Sequence, residues 1–183
     1  LRLRSIILLL ALGFFCGAWN ESTSVEAQPL SLDFKTSRNA NRPPAARCRR
    51  EDLSVKEGET DAAMGGVRQT PYIFTNISSS PCTLEGYPSV ELLSPKGTVV
   101  RRSTKQESDS AVAVGTIESG KTAWFNLNYN SGGAGHMGKP CPTYPKIRIV
   151  MPGVGRALVL RSAITSCPRT NFEVTSIQSG QPN

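Results

Sequence analysis

The residues of this chain best suited to chemistry are a lone histidine and five cysteines. His136 sits in the run Gly133-Ala134-Gly135-His136-Met137-Gly138-Lys139. Its first six residues fit G-x-G-x-x-G, and all seven fit the start of a phosphate-binding loop. Both motifs need a helix to begin at once, so that its first N–H groups can meet the phosphates. Here Pro140, Pro142 and Pro145 follow without a helical pattern, and Pro140 stands where a Mg²⁺-binding Ser or Thr is required. The run therefore reads as a glycine-rich loop tip, and no cofactor is expected. A Ser-His-Asp or Cys-His device around His136 lacks a G-x-S-x-G elbow. Zinc needs three or four His/Cys ligands at short spacings, whereas these cysteines lie tens of residues apart. Glu85, Glu91, Glu107, Asp109 and Glu118 sit singly, with no cleft-forming architecture to pair two of them for glycoside hydrolysis. Trp124, Phe125, Tyr129 and Tyr144 read as core and rim rather than as a sugar-stacking platform. The chain is not expected to be an enzyme.

The formal net charge is +7 over 183 residues. Such a surplus favours anionic partners without bearing on fold. The densest basic clusters are Arg47, Arg49 and Arg50 around a cysteine, and Arg101-Arg102 after a strand. Together they form a candidate patch for an anionic partner if their strands adjoin; a merely solvated face is the plainer reading. A nucleic-acid binder would show a basic stripe with interleaved aromatics or a recognisable module, and neither is visible. An envelope polymer, an anionic lipid surface or an envelope protein fits better, with the chain itself a monomer.

The amino-terminal stretch points to a compartment. Arg2 and Arg4 precede the apolar run from Ile6 to Cys16, too short to span a bilayer. A basic segment followed by a short apolar one is the pattern of a secretory signal peptide. Val25-Glu26-Ala27 supplies small residues at a cleavage site, so cleavage is expected between Ala27 and Gln28, with Cys16-Gly17-Ala18 as a second candidate. Cys16 also invites a lipoprotein reading, against which Phe15 is bulky where a lipobox needs a small residue. Cleavage at Ala27 leaves Cys48, Cys82, Cys141 and Cys167, an even count that in an oxidising compartment reads as two disulfides. The protein is thus expected outside the cytoplasm, with no transmembrane helix in its mature form.

Residues 28–46 lack periodicity, end in Pro43-Pro44 and read as a disordered linker. The folded domain is expected over 47–180, with 181–183 a tail. Strand signals follow at short intervals: Leu53 to Val55; Val67 to Asn76, where Pro71 suggests an edge or a bulge; and Ser89 to Ser94. Ser94-Pro95-Lys96-Gly97 then turns the chain back into Thr98 to Arg101. Ala111 to Ile117 comes next. Lys121 to Tyr129 places Ala123, Phe125, Leu127 and Tyr129 at period two, the cleanest alternation in the chain. Lys146 to Met151 and Arg156 to Arg161 make a hairpin, and Phe172 to Ile177 closes the domain. Eight or nine short strands with no helical period favour a two-sheet antiparallel β-sandwich, with a closed barrel second.

The run T-N-I-S-S-S-P-C-T-L-E-G-Y-P-S-V-E-L at Thr75 to Leu92 resembles a bacterial secreted family catalogued as domain of unknown function 4232. Glu118 to Phe125 (E-S-G-K-T-A-W-F) resembles the family's turn and core strand, although Ser119 stands where the family usually has proline. A third cysteine lies before a strand ending in Met151-Pro152-Gly153, and a fourth before the terminal strand. The resemblance implies an exported immunoglobulin-like β-sandwich of the cell envelope, with no assigned activity. Cysteines closing neighbouring segments would pair as Cys48–Cys82 and Cys141–Cys167, although the count alone allows three connectivities. The expected function is that of a non-enzymatic envelope module for binding or structure. The alternative is a secreted hydrolase or protease-inhibitor-like protein acting through the Asn130 to Pro145 loop.

Overall fold

Along Lys121 to Tyr129 apolar residues recur at period two, and the chain folds so that this run buries one side. The computed structural model describes residues 45–107, 115–132 and 140–182. The expected signal peptide, most of the expected linker and the run around His136 lie outside the described residues.

One sheet of seven strands has β1 (Leu53–Glu57), β3 (Val67–Asn76), β9 (Thr122–Asn130), β12 (Phe172–Val174) and β7 (Thr104–Lys105) in that order. Two short strands extend it: β2 (Asp61–Ala62) on β3 and β13 (Gln178–Ser179) on β9. The other sheet has four strands, ordered β11 (Leu158–Thr165), β10 (Thr143–Val150), β5 (Ser89–Leu93) and β6 (Val99–Arg102). A two-stranded ribbon joins β4 (Cys82–Thr83) to β8 (Thr116–Ile117). Neighbours are antiparallel except β7 and β12, which run parallel. The chain crosses between sheets at Ser103, whose N–H bonds the Val90 carbonyl while its hydroxyl receives the Val90 N–H.

The sheets share one apolar core. Ala123, Phe125, Leu127 and Tyr129 of β9 are all buried, as their alternation requires. They meet Tyr72 and Phe74 of β3, with Phe125 stacked on both rings at 5.5 and 5.8 Å. From the four-stranded sheet come Val90, Leu92, Ile147, Ile149, Leu158 and Ile164. The Tyr72 and Ser162 hydroxyls meet at 3.3 Å across the two layers. Burial also drives the Tyr72 phenol's pKa far above its ordinary range.

Two expected features differ in detail. Pro71 lies in an interior strand, between the β1–β2 side and β9. Its carbonyl accepts the Gly58 N–H on the β1–β2 side at 2.8 Å. Its ring nitrogen faces that same side, where β1 has ended and β2 has not begun, so the missing donor interrupts no continuous ladder. The closing strand is split. β12 and β13 both pair with β9, and residues 175–177 between them form a bulge. Thr175 holds the bulge: its N–H bonds the Asn126 carbonyl, and its Oγ1 accepts the Asn126 N–H.

The polar corner after β3 is organised by Asn76, which is fully buried. Its Nδ2 donates to the carbonyls of Ser80 (2.8 Å) and Ile117 (2.9 Å). Its Oδ1 accepts from the Ser78 N–H (3.0 Å) and the Ser78 hydroxyl (2.7 Å). One amide thereby fastens the serine turn to β8. Beside it, a disulfide joins Cys48 to Cys82, and Thr83 exchanges backbone bonds with Ala46 and Cys48. Ala46, read from sequence as the linker's last residue, is therefore already tied into the fold. The second disulfide joins Cys141 to Cys167. Both pairings are those implied by the family resemblance.

Candidate functional site

Strand β10 contains K-I-R-I-V, with basic residues at alternate positions, and β11 contains L-V-L-R, with Arg161 two residues after Val159. In a strand whose one face is core, alternation sends the residues between the apolar ones to the other face. Ile147, Ile149 and Leu158 are buried, so Lys146, Arg148, Val159 and Arg161 occupy the outer surface of the four-stranded sheet. Register completes the arrangement. Arg148 stands beside Val159 on one flank and Glu91 on the other, and Glu91 stands beside Arg102. One row along, Lys146 lies between Arg161 and Leu93.

Glu91 is the only carboxylate in these two rows. Its side chain is 4% exposed, clasped by Arg102 and Arg148. The Arg102 Nε donates to one oxygen at 2.5 Å, and the Arg148 Nε donates to the other. Burial by itself would raise the Glu91 pKa; the hydrogen bonds and charges of the two arginines outweigh it and hold the carboxyl below its ordinary range. The face thus carries four cations against one anion, with the anion shielded beneath two of the cations.

The pair energetics give a direct prediction. Glu91→Gln removes the charge that separates Arg102 from Arg148 and lowers stability at neutral pH by about 2 kcal/mol. Because the folded pKa is depressed, this contribution is complete above the unfolded carboxylate range, near ~4.3, and is lost as pH falls through the folded value. Thermal melts of parent and variant, well separated at pH 7, are expected to converge in acid. A gap that stays constant with pH would contradict the ionic origin.

The five arginines singled out from sequence divide among different tasks. Arg47 reaches Glu85 at 3.4 Å and lies where a side chain on Gly153 would go; that glycine has φ of 73°. Arg49 binds Asp52 through its backbone N–H and guanidinium, and these bonds lower the Asp52 carboxyl's pKa. Arg50 points its Nη1 toward the Leu53 carbonyl at 3.5 Å. Arg101 pairs in register with the buried Leu92 and so turns away from the basic face. Its guanidinium donates to the Ser166 hydroxyl and to the carbonyls of Cys167 and Thr170, with its carbon 4.9 Å from the Phe172 ring centroid. It is a staple for the segment after the second disulfide. Arg102 alone joins the outer face. Lys146, Arg148 and Arg161 were not singled out, although their alternation with Ile and Leu was the signal.

Of the other candidates, Glu85 is engaged by Arg47, while His136 and Asp109 lie outside the described residues. Phe125 and Tyr129 are in the core, Tyr144 packs at its margin, and Trp124 faces outward from the seven-stranded sheet. Among the described residues no group of three or more His, Cys, Asp and Glu side chains could hold a metal ion. Nor is any helix there long and apolar enough to cross a membrane.

Fold and site together define an all-β, disulfide-clamped sandwich with a cationic face on its smaller sheet. The family model described as Domain of unknown function (DUF4232) matches residues 48–178, and the chain belongs to that family. No curated protein and no solved structure matches it.

Proposed function

We propose that the protein is an extracytoplasmic, non-enzymatic binding module that docks an anionic polymer of the cell envelope on the outer face of β6, β5, β10 and β11. The observation that carries this reading is that Arg102, Lys146, Arg148 and Arg161 share two adjacent rows of one outward face, whose single carboxylate, Glu91, is shielded by Arg102 and Arg148. An outward sheet face rich in cations suits a repeating anion, because successive phosphates or carboxylates can each meet a guanidinium or ammonium. Two disulfides fit an oxidising compartment outside the cytoplasm.

Binding of poly(glycerol phosphate) to the purified protein, measured by calorimetry at low and at raised NaCl, tests this. Affinity is expected to fall steeply with salt. The double variant Lys146→Glu/Arg161→Glu leaves the Glu91 clasp in place and is expected to lose at least about tenfold in affinity, since each cation near a polyanionic surface contributes about 1 kcal/mol. Lys56→Glu, on the edge of the other sheet, is expected to change little. Equal binding by the double variant would refute the reading. Binding confined to phosphatidylglycerol vesicles would move the partner from polymer to lipid.

A further inference from the structure

The seven-stranded sheet holds six aromatic side chains, and five of them, Tyr72, Phe74, Phe125, Tyr129 and Phe172, are core residues. Trp124 is the exception. It alternates outward from Phe125 on β9, stays half-buried and stands in register with Ile73 of β3. Ile73 is only 5% exposed although it too faces away from the core. Next along these strands, Asn126 stands beside Pro71. The four residues line a groove of about 430 Å³, within the range of small-ligand sites, roughly 300–1,000 Å³.

The groove exists because the β1–β2 edge is interrupted. Between Glu57 and Asp61 the chain leaves the ladder, and Gly58 packs so closely that a Cβ there would meet the Pro71 ring at 2.8 Å. This leaves an apolar floor of Ile73 and Pro71 with a polar rim of Asn126, Gln69, Glu59 and Asp61. Two residues along a strand span about 7 Å and adjacent strands about 5 Å. Trp124 and Asn126 are therefore spaced along β9 by about the width of one sugar ring.

We infer that this groove binds a neutral sugar unit of a glycan. The Trp124 indole stacks on the C–H face of the pyranose ring, as aromatic faces do on weakly polarised hydrogens. Asn126 and Gln69 both donate and accept, which matches hydroxyl groups that do the same. Glu59 and Asp61 accept from further hydroxyls. They also repel phosphate and carboxylate groups, so the anionic ligand proposed for the opposite sheet is excluded here. A cation would use the carboxylates but leave the amide donors without acceptors. The site is separate from the basic face and does not rest on it.

Trp124 and Trp19 are the chain's two tryptophans, so Trp19→Phe makes Trp124 the sole indole reporter. Titration of that full chain with chitotetraose, cellotetraose and maltotetraose is expected to give a saturable emission change with at least one of them. Calorimetry with the same sugar is expected to show about a tenfold loss for Trp124→Ala and a several-fold loss for Asn126→Ala. Trp124→Phe, which keeps an aromatic face and serves if the alanine variant melts early, is expected to retain weakened binding. Lys146→Glu/Arg161→Glu is expected to bind the sugar as the parent does. No response to any of the three sugars at millimolar concentration overturns the inference. So does undiminished binding by folded Trp124→Ala and Asn126→Ala.

Discussion

Replacing Cys82 with Ser, or reducing both disulfides, is expected to bring the sandwich close to unfolding at physiological temperature. The Cys48–Cys82 bond spans 34 residues of sequence and the Cys141–Cys167 bond 26. On the chain-entropy model each contributes about 3.5–4 kcal/mol by restricting the unfolded chain. A domain of this size is stable by about 5–15 kcal/mol in total, so losing both bonds removes a large share. The first bond also fastens the segment before β1 to β4, where Cys48 and Cys82 are both buried. Cys82→Ser therefore exposes the unfolded chain's entropy and places a hydroxyl in an apolar site. Urea unfolding with and without reductant measures the effect. Coincident midpoints would show that the cross-links carry no such weight.

Asn76→Asp is expected to cost nearly as much, above 3 kcal/mol at neutral pH. The native amide donates to two carbonyls, at Ser80 and Ile117, from a fully buried position. A carboxylate there turns two hydrogen bonds into two contacts between acceptors and buries a charge without a counterion. Asn76→Ala removes the same bonds without the repulsion and is expected to cost about 2–3 kcal/mol. The ordering Asp worse than Ala is the distinguishing sign, since size alone favours the isosteric Asp. Thermal melts of both variants at pH 7 check it. An Asp variant as stable as the parent would mean that Asn76 does not hold the corner.

Much of this architecture was legible because it depends on local pattern. The alternation in β9 marked its buried face, and Ser94 to Gly97 announced its own turn: the Gly97 N–H bonds the Ser94 carbonyl, and Gly97 adopts φ of 85°. Cysteine order and the C-T-L-E-G-Y-P corner carried the family. What was not legible depends on register between distant segments. Glu91 meets Arg102 from 11 residues away but Arg148 from 57, and no periodicity announces the second meeting. The expected arginine patch was grouped by sequence density. The fold instead separates Arg101 from Arg102, because adjacent residues on a strand face opposite sides. The outward Trp124 was readable in principle, since a residue flanked by core Ala123 and Phe125 must face the other way. Pro71 misled for a nonlocal reason: the gap that accommodates it belongs to the β1–β2 side.

An amide chemical-shift map of the isotope-labelled protein, titrated with poly(glycerol phosphate), tests the proposed docking face most directly. Docking on the smaller sheet gives shifts confined to β5, β6, β10 and β11 around Arg102, Lys146, Arg148 and Arg161, and they fade as NaCl is raised. Shifts centred on Arg47 to Arg50 or on Trp124, or none at low salt, would contradict it.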